Sequence, residues 1–466
     1  MQLILVLAVL AVLVISENSP TQPVTEAAVR LAIAAVAMLA VPLFAVVSSG
    51  LIARQARSDF AGERLLLRYH RMKHIHTALW LAAAAGVAYG LDWTQLVRYN
   101  WHMEHTLIVD DLLILLPVLL PLVLSWAAFY DADRAILKGH VRISAAEPMT
   151  TRLGYVAVHA RHYLGIVLVP LLVILIVQDG LELLAPQLLE GDYELLVFVP
   201  ALAILMATFP LLLRFVWQTR PLAPGALRDR LETACCRSGV GLRDILVWET
   251  NSMAVNAAVA GFFPRLRYVF ITDGLLKILS DEEIEAVLGH ELGHIRHRHL
   301  LMRIIAMMAP LGLWILLGQV FPEQMDGILA RMESWLEQSI WSGQPAIILG
   351  LAALALFGVY AIVIFGMFSR MLEKQADLFG CRILTEEFGH KSVDIYVRAL
   401  EKLGIASGNR HCWSWQHGSI AERVEFLSKT AQSPQSVLCF FRRIRVLSSM
   451  LAALLILPLL HLLLDG

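Results

Sequence analysis

The chain has 466 residues, of which 58% are hydrophobic and 17% are charged, and its mean hydropathy is +0.65. Soluble proteins carry about 25% charged residues, so this composition indicates a polytopic membrane protein. Its expected partners therefore include the lipid bilayer. The 38 basic and 39 acidic residues nearly balance, which argues against a nucleic-acid partner.

Long apolar runs predict about nine transmembrane helices. In chain order the runs cover residues 3–15, 27–53, 77–97, 107–129, 162–178, 195–216, 304–321, 345–368 and 446–464. The first run is short and could instead be a signal peptide. It lacks a basic stretch before it and a small-residue cleavage site before Glu17, so we favour a retained span.

The charges of the first loops predict how the chain crosses the membrane. Residues 17–26 and 179–194 contain no Lys or Arg, whereas residues 54–73 and 134–161 each contain several Arg and one Lys. Positive loops stay on the cytoplasmic side, so the alternation places the amino terminus inside. The segment after the sixth span, residues 218–299, is then expected on the cytoplasmic side, most simply of a bacterial inner membrane.

This cytoplasmic segment has the pattern of a small α+β domain. Residues Ala226–Ser238 form an amphipathic pattern that predicts a helix, which Gly239 can end. Three β-rich runs follow, at Asp244–Trp248, Ala254–Phe263 and Arg267–Thr272. The fold class predicted from the sequence is therefore mainly α, a polytopic membrane protein with a small cytoplasmic α+β domain.

The next stretch reads His290-Glu291-Leu292-Gly293-His294, the H-E-x-x-H pattern. Ser280 is a plausible helix N-cap with acidic residues after it, and apolar residues then recur at helical spacing. On a helix the two histidines share one face and can bind one Zn²⁺, while Glu291 can take a proton from a water on that ion.

A third ligand is expected from far along the chain. Spans seven and eight form a hairpin that returns the chain to the same membrane face just before Glu373. Two His and one Glu are a common ligand set of hydrolytic zinc, so we expect one Zn²⁺ per chain. Asp377 lies one turn later, where it could hold a ligating imidazole by its other nitrogen. The alternative for Glu373 is an interfacial ion pair with Arg370 or Lys374.

Two further groups of polar residues are ambiguous in the sequence. His297 and His299 alternate with arginines and could form a second metal site, but a basic stripe beside the seventh span is the simpler interpretation. Asp110 and Asp111 lie within the fourth predicted span, where a carboxylate is a functional candidate. They lie near its outer end and could equally be hydrated.

Together these residues resemble the integral-membrane zinc metalloproteases of the CAAX prenyl protease and HtpX type. The resemblance rests on the H-E-x-x-H motif, the E-x-x-x-D of Glu373–Asp377, the Asn256-Ala257 strand and a later segment at residues 415–423. It implies that His290, His294 and Glu373 bind zinc, that Glu291 is the general base and that His417 stabilises the oxyanion. It further implies supporting roles for Asp377 and Arg423, and substrate binding by Asn256 and Ala257. Gly418 departs from the family pattern, which usually has proline there.

The resulting expectation is a membrane-embedded zinc endopeptidase that cleaves membrane-associated, misfolded or C-terminally processed polypeptides. The alternatives are cleavage within the membrane, which the charged residues around the motif disfavour, and a catalytically silent scaffold or sensor with a structural zinc site. We divide the chain into an N-terminal membrane region (1–217), a protease domain (218–299), a transmembrane hairpin (300–368), a cytoplasmic helical part with the third ligand (369–445) and a last span (446–466).

Overall fold

The computed structural model describes residues 2–58, 63–104, 106–140, 151–185, 187, 193–250, 254–338, 345–406, 414–430 and 433–465. Most of these residues are helical. In the first half the α-helices are α1 Gln2–Glu17, α2 Ala27–Ser58, α3 Glu63–Ala85, α4 Trp93–Gln95, α5 Val109–Ile114, α6 Leu116–His140, α7 Arg152–His159, α8 Gly165–Leu184 and α9 Tyr193–Val216. In the second half they are α10 Ala226–Ser238, α11 Asp273–Ile278, α12 Asp281–Arg296, α13 His299–Val320, α14 Pro322–Glu337, α15 Pro345–Tyr360, α16 Gly366–Phe388, α17 Ser392–Ala406, α18 Ile420–Thr430 and α19 Pro434–Asp465.

The described residues contain seven helical segments that are long and apolar enough to cross a membrane: 27–56, 116–136, 152–184, 199–216, 299–320, 346–385 and 435–461. The polytopic, mainly helical fold is thus confirmed. The apolar run at 3–15 forms a shorter helix, Leu3–Glu17. The run at 77–97 is not one continuous span, because the chain leaves the helix at Leu91 and restarts at Trp93.

Contacts divide the chain into two units, Met1–Trp217 with Ala346–Leu354 and Gln218–Pro345 with Ala355–Gly466. In the first unit α2, α3 and α6 share an apolar core that includes Ala45, Met72 and Phe129. Polar side chains inside this core are paired: His76 Nε2 lies 2.8 Å from the Ser125 hydroxyl. Such pairing removes most of the cost of burying a polar group among apolar helices.

The acidic pair that the sequence left open lies in the first unit. Asp110 and Asp111 are each only 6% exposed. The Arg98 guanidinium donates to Asp110 Oδ2 at 3.0 Å and to Asp111 Oδ1 at 3.5 Å. The pair is therefore largely buried and compensated by a cation, so its burial needs no ligand to explain it.

The second unit contains a sheet of four described strands, β1 Thr219–Pro221, β2 Asp244–Trp248, β3 Ala257–Ala260 and β4 Tyr268–Thr272, in the order β1-β2-β4-β3. The helix at 226–238 and the strands at 244–248 and 268–272 are confirmed. The predicted strand at 254–263 is shorter, and β1 was not predicted. Because β3 pairs only with β4 among these strands, its other side is an edge.

Helix α12 carries the H-E-x-x-H motif and begins as the sequence predicts. The Ser280 hydroxyl accepts from the Glu283 N–H, and the Glu283 carboxylate accepts from the Ser280 N–H. This reciprocal capping box satisfies two backbone donors that a helix start leaves free. On its inner face Ile284, Leu288 and Leu292 join the apolar core beneath the sheet, which fixes the direction of the opposite, polar face.

Small residues let α12 and α16 cross at close range. A Cβ atom at Gly289 would lie 3.1 Å from the Gly380 Cα, and one at Gly293 would lie 3.0 Å from the Ala376 Cα. Any larger side chain at these positions would separate the helix backbones. The close crossing is what brings Glu373 to the histidines of α12, although 79 residues separate it from His294 in the sequence (373 − 294).

Candidate metal centre

His290, His294 and Glu373 converge, with one potential ligand atom from each lying within 4.8 Å of the others. The His290 and His294 Nε2 atoms are 3.1 Å apart. Glu373 Oε2 is 3.4 Å from His290 Nε2, and Glu373 Oε1 is 3.5 Å from His294 Nε2. Tetrahedral zinc ligands at about 2.0–2.2 Å from the ion are about 3.3–3.6 Å apart. The donor types and their spacing therefore fit one Zn²⁺.

The second nitrogen of His290 is held by a buried polar group. Its Nδ1 is 2.9 Å from Asp377 Oδ1, and Asp377 also accepts a hydrogen bond from the Tyr396 hydroxyl at 2.7 Å. The Arg423 guanidinium donates to both Asp377 oxygens, at 2.5 and 2.9 Å. Burial by itself lowers the pKa of Arg423, but Asp377 raises it well above the ordinary value, so this pair stays charged. Asp377 can thus orient the His290 ring.

The second nitrogen of His294 faces a different partner. Its Nδ1 is 2.7 Å from His299 Nδ1, and His299 Nε2 is 3.0 Å from Gln375 Oε1. His299 is completely buried. The interpretation of His299 as part of an exposed basic stripe is therefore wrong. Helix α12 ends at Arg296, and Arg298 adopts a left-handed conformation (φ 55°) that starts α13 and turns His299 back toward His294.

Glu291 lies in the wall of a cavity of about 980 Å³. The cavity is also lined by the ligand residues, by β3 and by apolar side chains of α17. The pKa of the Glu291 carboxyl is raised to about 7, chiefly because the group is buried. The neighbouring His290 lowers this pKa, and Glu373 raises it. A carboxyl whose pKa lies near neutral pH is suited to act as a general base.

His417 reaches the same cavity from the turn before α18. Its Nδ1 lies 3.0 Å from Glu373 Oε2, and its side chain is 53% exposed. The turn is closed by reciprocal backbone hydrogen bonds between Ser414 and Gly418. Gly418 has a φ of +70°, a conformation closed to proline, whose ring fixes φ near −65°. A proline at position 418 could therefore not adopt this turn. Residues 407–413, which precede this turn in the chain, lie outside the described residues.

Arg303 approaches the centre from the first turn of α13. Its Nη2 donates to Glu373 Oε1 at 2.6 Å. Glu373 is 1% exposed, so its charge is compensated by this cation and by the histidines around it. The alternative pairing of Glu373 with Arg370 does not form: the Arg370 Nη1 instead donates to the Trp415 carbonyl at 2.9 Å.

The predicted substrate-binding residues lie on the edge strand or next to it. The Asn256 N–H donates to the Thr272 hydroxyl, and its carbonyl accepts from the Thr272 N–H at 3.0 Å. Ala257 pairs with Ile271 of β4. Both residues line the cavity, so the sheet edge and the candidate metal centre share one cleft.

Sequence reasoning missed Tyr396, Arg303 and Gln375, and it singled out His299 without connecting it to His294. Tyr396 is 106 residues from its partner His290, and nothing in its local pattern distinguishes it from a core aromatic residue. His299 did offer a signal, because it is the second of two histidines after the motif. That signal could be interpreted only once the turn at Arg298 was known.

Parts of the chain are similar to known proteins. Residues 221–431 match the family model described as peptidase family M48. The resemblance seen in the sequence is confirmed: this segment carries the M48 pattern. Among curated M48-type relatives, a "Protease HtpX homolog" of Caldanaerobacter subterraneus is 32% identical over 160 residues, which cover 34% of this chain and 50% of that protein. The "Protease HtpX" of Xylella fastidiosa is 28% identical over 198 residues, 41% of this chain and 61% of that protein.

The chain thus spans only about half to three fifths of these relatives' length. The crystal structure of S. mikatae Ste24p superposes over 87% of this chain and 100% of its own, with a TM-score of 0.51 and 17% sequence identity. At this identity the likeness shows a shared fold. The polytopic helical architecture is therefore that of the Ste24p structure, and the M48 segment lies within it.

Proposed function

We propose that the protein is a membrane zinc endopeptidase, of the HtpX and CAAX prenyl protease type. One observation carries the proposal: two histidines and a glutamate at zinc-ligand spacing lie in the wall of a large cleft, with Glu291 beside them and a free strand edge across from them. A purely structural zinc site would normally have four protein ligands and no cleft. The membership of residues 221–431 in peptidase family M48 supports the same conclusion.

In this proposal His290, His294 and Glu373 would hold one Zn²⁺, and the chemistry that the ion would supply is Lewis-acid activation of a water and of the substrate carbonyl. Glu291 takes the proton from the attacking water and passes it to the leaving amine nitrogen. His417 lies beside the ligand cluster, with its Nδ1 3.0 Å from Glu373 Oε2. From there its imidazole can donate to the carbonyl oxygen as negative charge develops on it.

The edge of β3 supplies the means to hold an extended substrate. A peptide can add to this edge as a further antiparallel or parallel strand, using main-chain hydrogen bonds that depend little on sequence. Asn256 and Ala257 begin the edge, and Val259 continues it along the cavity wall. Arg423 acts indirectly, since it fixes Asp377 and thereby His290.

The substrate class follows from this mode of binding and from the relatives' names. A cleft that reads main chain suits unfolded or extended segments of membrane-associated polypeptides, including C-terminal tails. The loop charges place the cleft on the cytoplasmic side in this proposal, most simply at a bacterial inner membrane. The five-part division of the chain given above assigns the ligands to the segments 218–299 and 369–445.

The test compares detergent-purified protein with Glu291→Gln on a disordered reporter peptide, after both samples are shown to contain one zinc per chain. Glu291→Gln keeps the side-chain shape but cannot accept the proton, so we expect normal zinc content and a loss of at least about 10³-fold in cleavage rate. Glu282→Gln is a matched control on the same helix, because that exposed side chain is remote from the ligands.

Cleavage that persists equally in Glu291→Gln would refute Glu291 as the base. A zinc-loaded parent that cleaves neither this peptide nor lipid-anchored or misfolded membrane substrates would support the scaffold alternative instead.

A further inference from the structure

We propose that His299 is a positioning residue: together with Gln375 it fixes which nitrogen of His294 carries a proton, and so keeps His294 able to bind zinc. The inference rests on the proposed function, because it concerns the same metal site. It assigns a role to two residues that no motif identified, one in the first turn of α13 and one between Glu373 and Asp377 on α16.

The first step is that His294 must ligate through Nε2. This is the atom that faces His290 Nε2 at 3.1 Å and Glu373 Oε1 at 3.5 Å. A ligating nitrogen must present a lone pair, so the proton of neutral His294 must sit on Nδ1. That proton requires an acceptor, because both rings lie in the protein interior.

The second step is that His299 Nδ1 is the acceptor. It lies 2.7 Å from His294 Nδ1, which is a good hydrogen-bond distance for two ring nitrogens. Only one of the two nitrogens can carry the proton in this bond. If His294 donates, His299 Nδ1 must be unprotonated, and the proton of the neutral His299 ring must then be on Nε2.

The third step is that Gln375, in the orientation seen here, is matched to this arrangement. Its Oε1 lies 3.0 Å from His299 Nε2 and can only accept a hydrogen bond. The two hydrogen bonds therefore point in the same direction. His294 Nδ1–H donates to His299 Nδ1, and His299 Nε2–H donates to Gln375 Oε1. The reverse direction, with the amide nitrogen donating, would end with a proton on His294 Nε2 and would abolish zinc binding.

The two zinc histidines are thus held by different means. His290 faces a carboxylate, Asp377, at 2.9 Å, whereas His294 faces a neutral imidazole and amide that are 0% and 5% exposed. Outer partners of ligating histidines typically change metal affinity by about 10–100-fold when removed. We expect an effect of this size for His299, whose contact with His294 lies on the side of the ring opposite the ion site.

The experiment measures Zn²⁺ affinity of the detergent-purified full chain by competition with a chromophoric chelator, together with the absorption spectrum of Co²⁺-loaded protein. His299→Leu, which removes the acceptor, should bind Zn²⁺ about 10–100-fold more weakly and alter the Co²⁺ spectrum. His299→Asp should restore most of the affinity, since its carboxylate oxygen takes the place of the ring Nδ1 and can only accept. His297→Phe is the matched control and should leave both readouts unchanged.

Gln375 provides an independent arm that stays valid if His299→Leu does not fold. Gln375→Glu keeps an acceptor of the same size and should retain zinc affinity, whereas Gln375→Leu should lower it. Parental affinity in both His299→Leu and Gln375→Leu would overturn the proposal, as would equally weak binding by folded Gln375→Glu and Gln375→Leu. Loss of a second metal equivalent in His297→Phe would overturn it in favour of a two-metal site. A parent that binds zinc as described but cleaves no peptide would refute the proposed function and leave this inference standing.

Discussion

Gly380→Ala probes whether the close crossing of α12 and α16 assembles the metal centre. Gly380 lies in α16, outside every motif, and a Cβ there would lie 2.6 Å from the Tyr396 ring and 3.1 Å from the His290 backbone nitrogen. Neither neighbour can yield freely. The Tyr396 hydroxyl is bonded to Asp377, and the His290 nitrogen is part of a helix. The added methyl must therefore shift α16, and with it Glu373.

The expected loss of stability is estimated by comparison with Gly327→Ala in α14, where an added Cβ would meet no atom within 4 Å. Both substitutions gain about 0.8–1 kcal/mol of helix propensity, so this contribution cancels in the difference. Inserting a methyl group into a packed contact costs about 1–3 kcal/mol. Gly380→Ala should therefore be less stable than Gly327→Ala by about 1–3 kcal/mol, which lowers the unfolding midpoint of a chain of this length by about 1–3 °C.

The assay is thermal unfolding of both variants in the same detergent, with and without Zn²⁺, followed by zinc competition at a temperature where both are folded. We expect Gly380→Ala to lose stability without the metal and, in addition, to bind Zn²⁺ more weakly. Equal midpoints and equal zinc affinities in the two variants would refute the idea that this crossing sets the position of Glu373.

Three further predictions concern charges around the centre. Asp377→Asn should weaken Zn²⁺ binding about 10–100-fold in a chelator competition, because His290 loses a charged partner. Arg423→Met leaves the buried Asp377 unpaired and should cost about 3–5 kcal/mol of stability in thermal unfolding, whereas Lys429→Met, which breaks an exposed ion pair with Glu425, should leave the stability nearly unchanged. Burial raises the pKa of Glu283, but its hydrogen bonds to Lys402 and the Ser280 N–H outweigh this and lower it. The resulting stability is present above the unfolded-state pKa and is lost as the pH falls through the lower folded value. In Glu283→Gln, stability measured by thermal unfolding should fall less steeply as the pH is lowered. An unchanged decrease at acid pH would contradict the attribution of this stability to Glu283.

Much of the site could be predicted because its first elements depend on local interactions. The two histidines and Glu291 share a helix whose start is set by Ser280 and Glu283, three residues apart, and helical spacing alone brings the histidines together. The candidate third ligand could also be predicted, because the two spans predicted before Glu373 were expected to return it to the membrane face of the histidines. The remaining contacts required pairs of residues far apart in the chain.

Some expectations failed where one backbone angle changed the outcome. His299 was interpreted as part of a solvated stripe because its neighbours are basic. A single left-handed residue, Arg298, instead turns it into the interior against His294. In the same way, the run at 77–97 has the composition of a span, but the chain leaves the helix within it. Composition reports the average environment of a segment and cannot report such local turns.

The amino-acid sequence by itself determined the membrane class, the capped helix with its metal-binding face, most of the small sheet and the kind of chemistry to expect. Hydropathy, capping and helical period are properties of neighbouring residues, so they can be read along the chain. Only the tertiary structure decided that β3 pairs with β4 alone among the described strands, that Tyr396 contacts His290, and that His299 contacts His294 and Gln375. These depend on how closely helices pack, because the glycine-lined crossing of α12 and α16 brings together groups that lie about 80 to 130 residues apart.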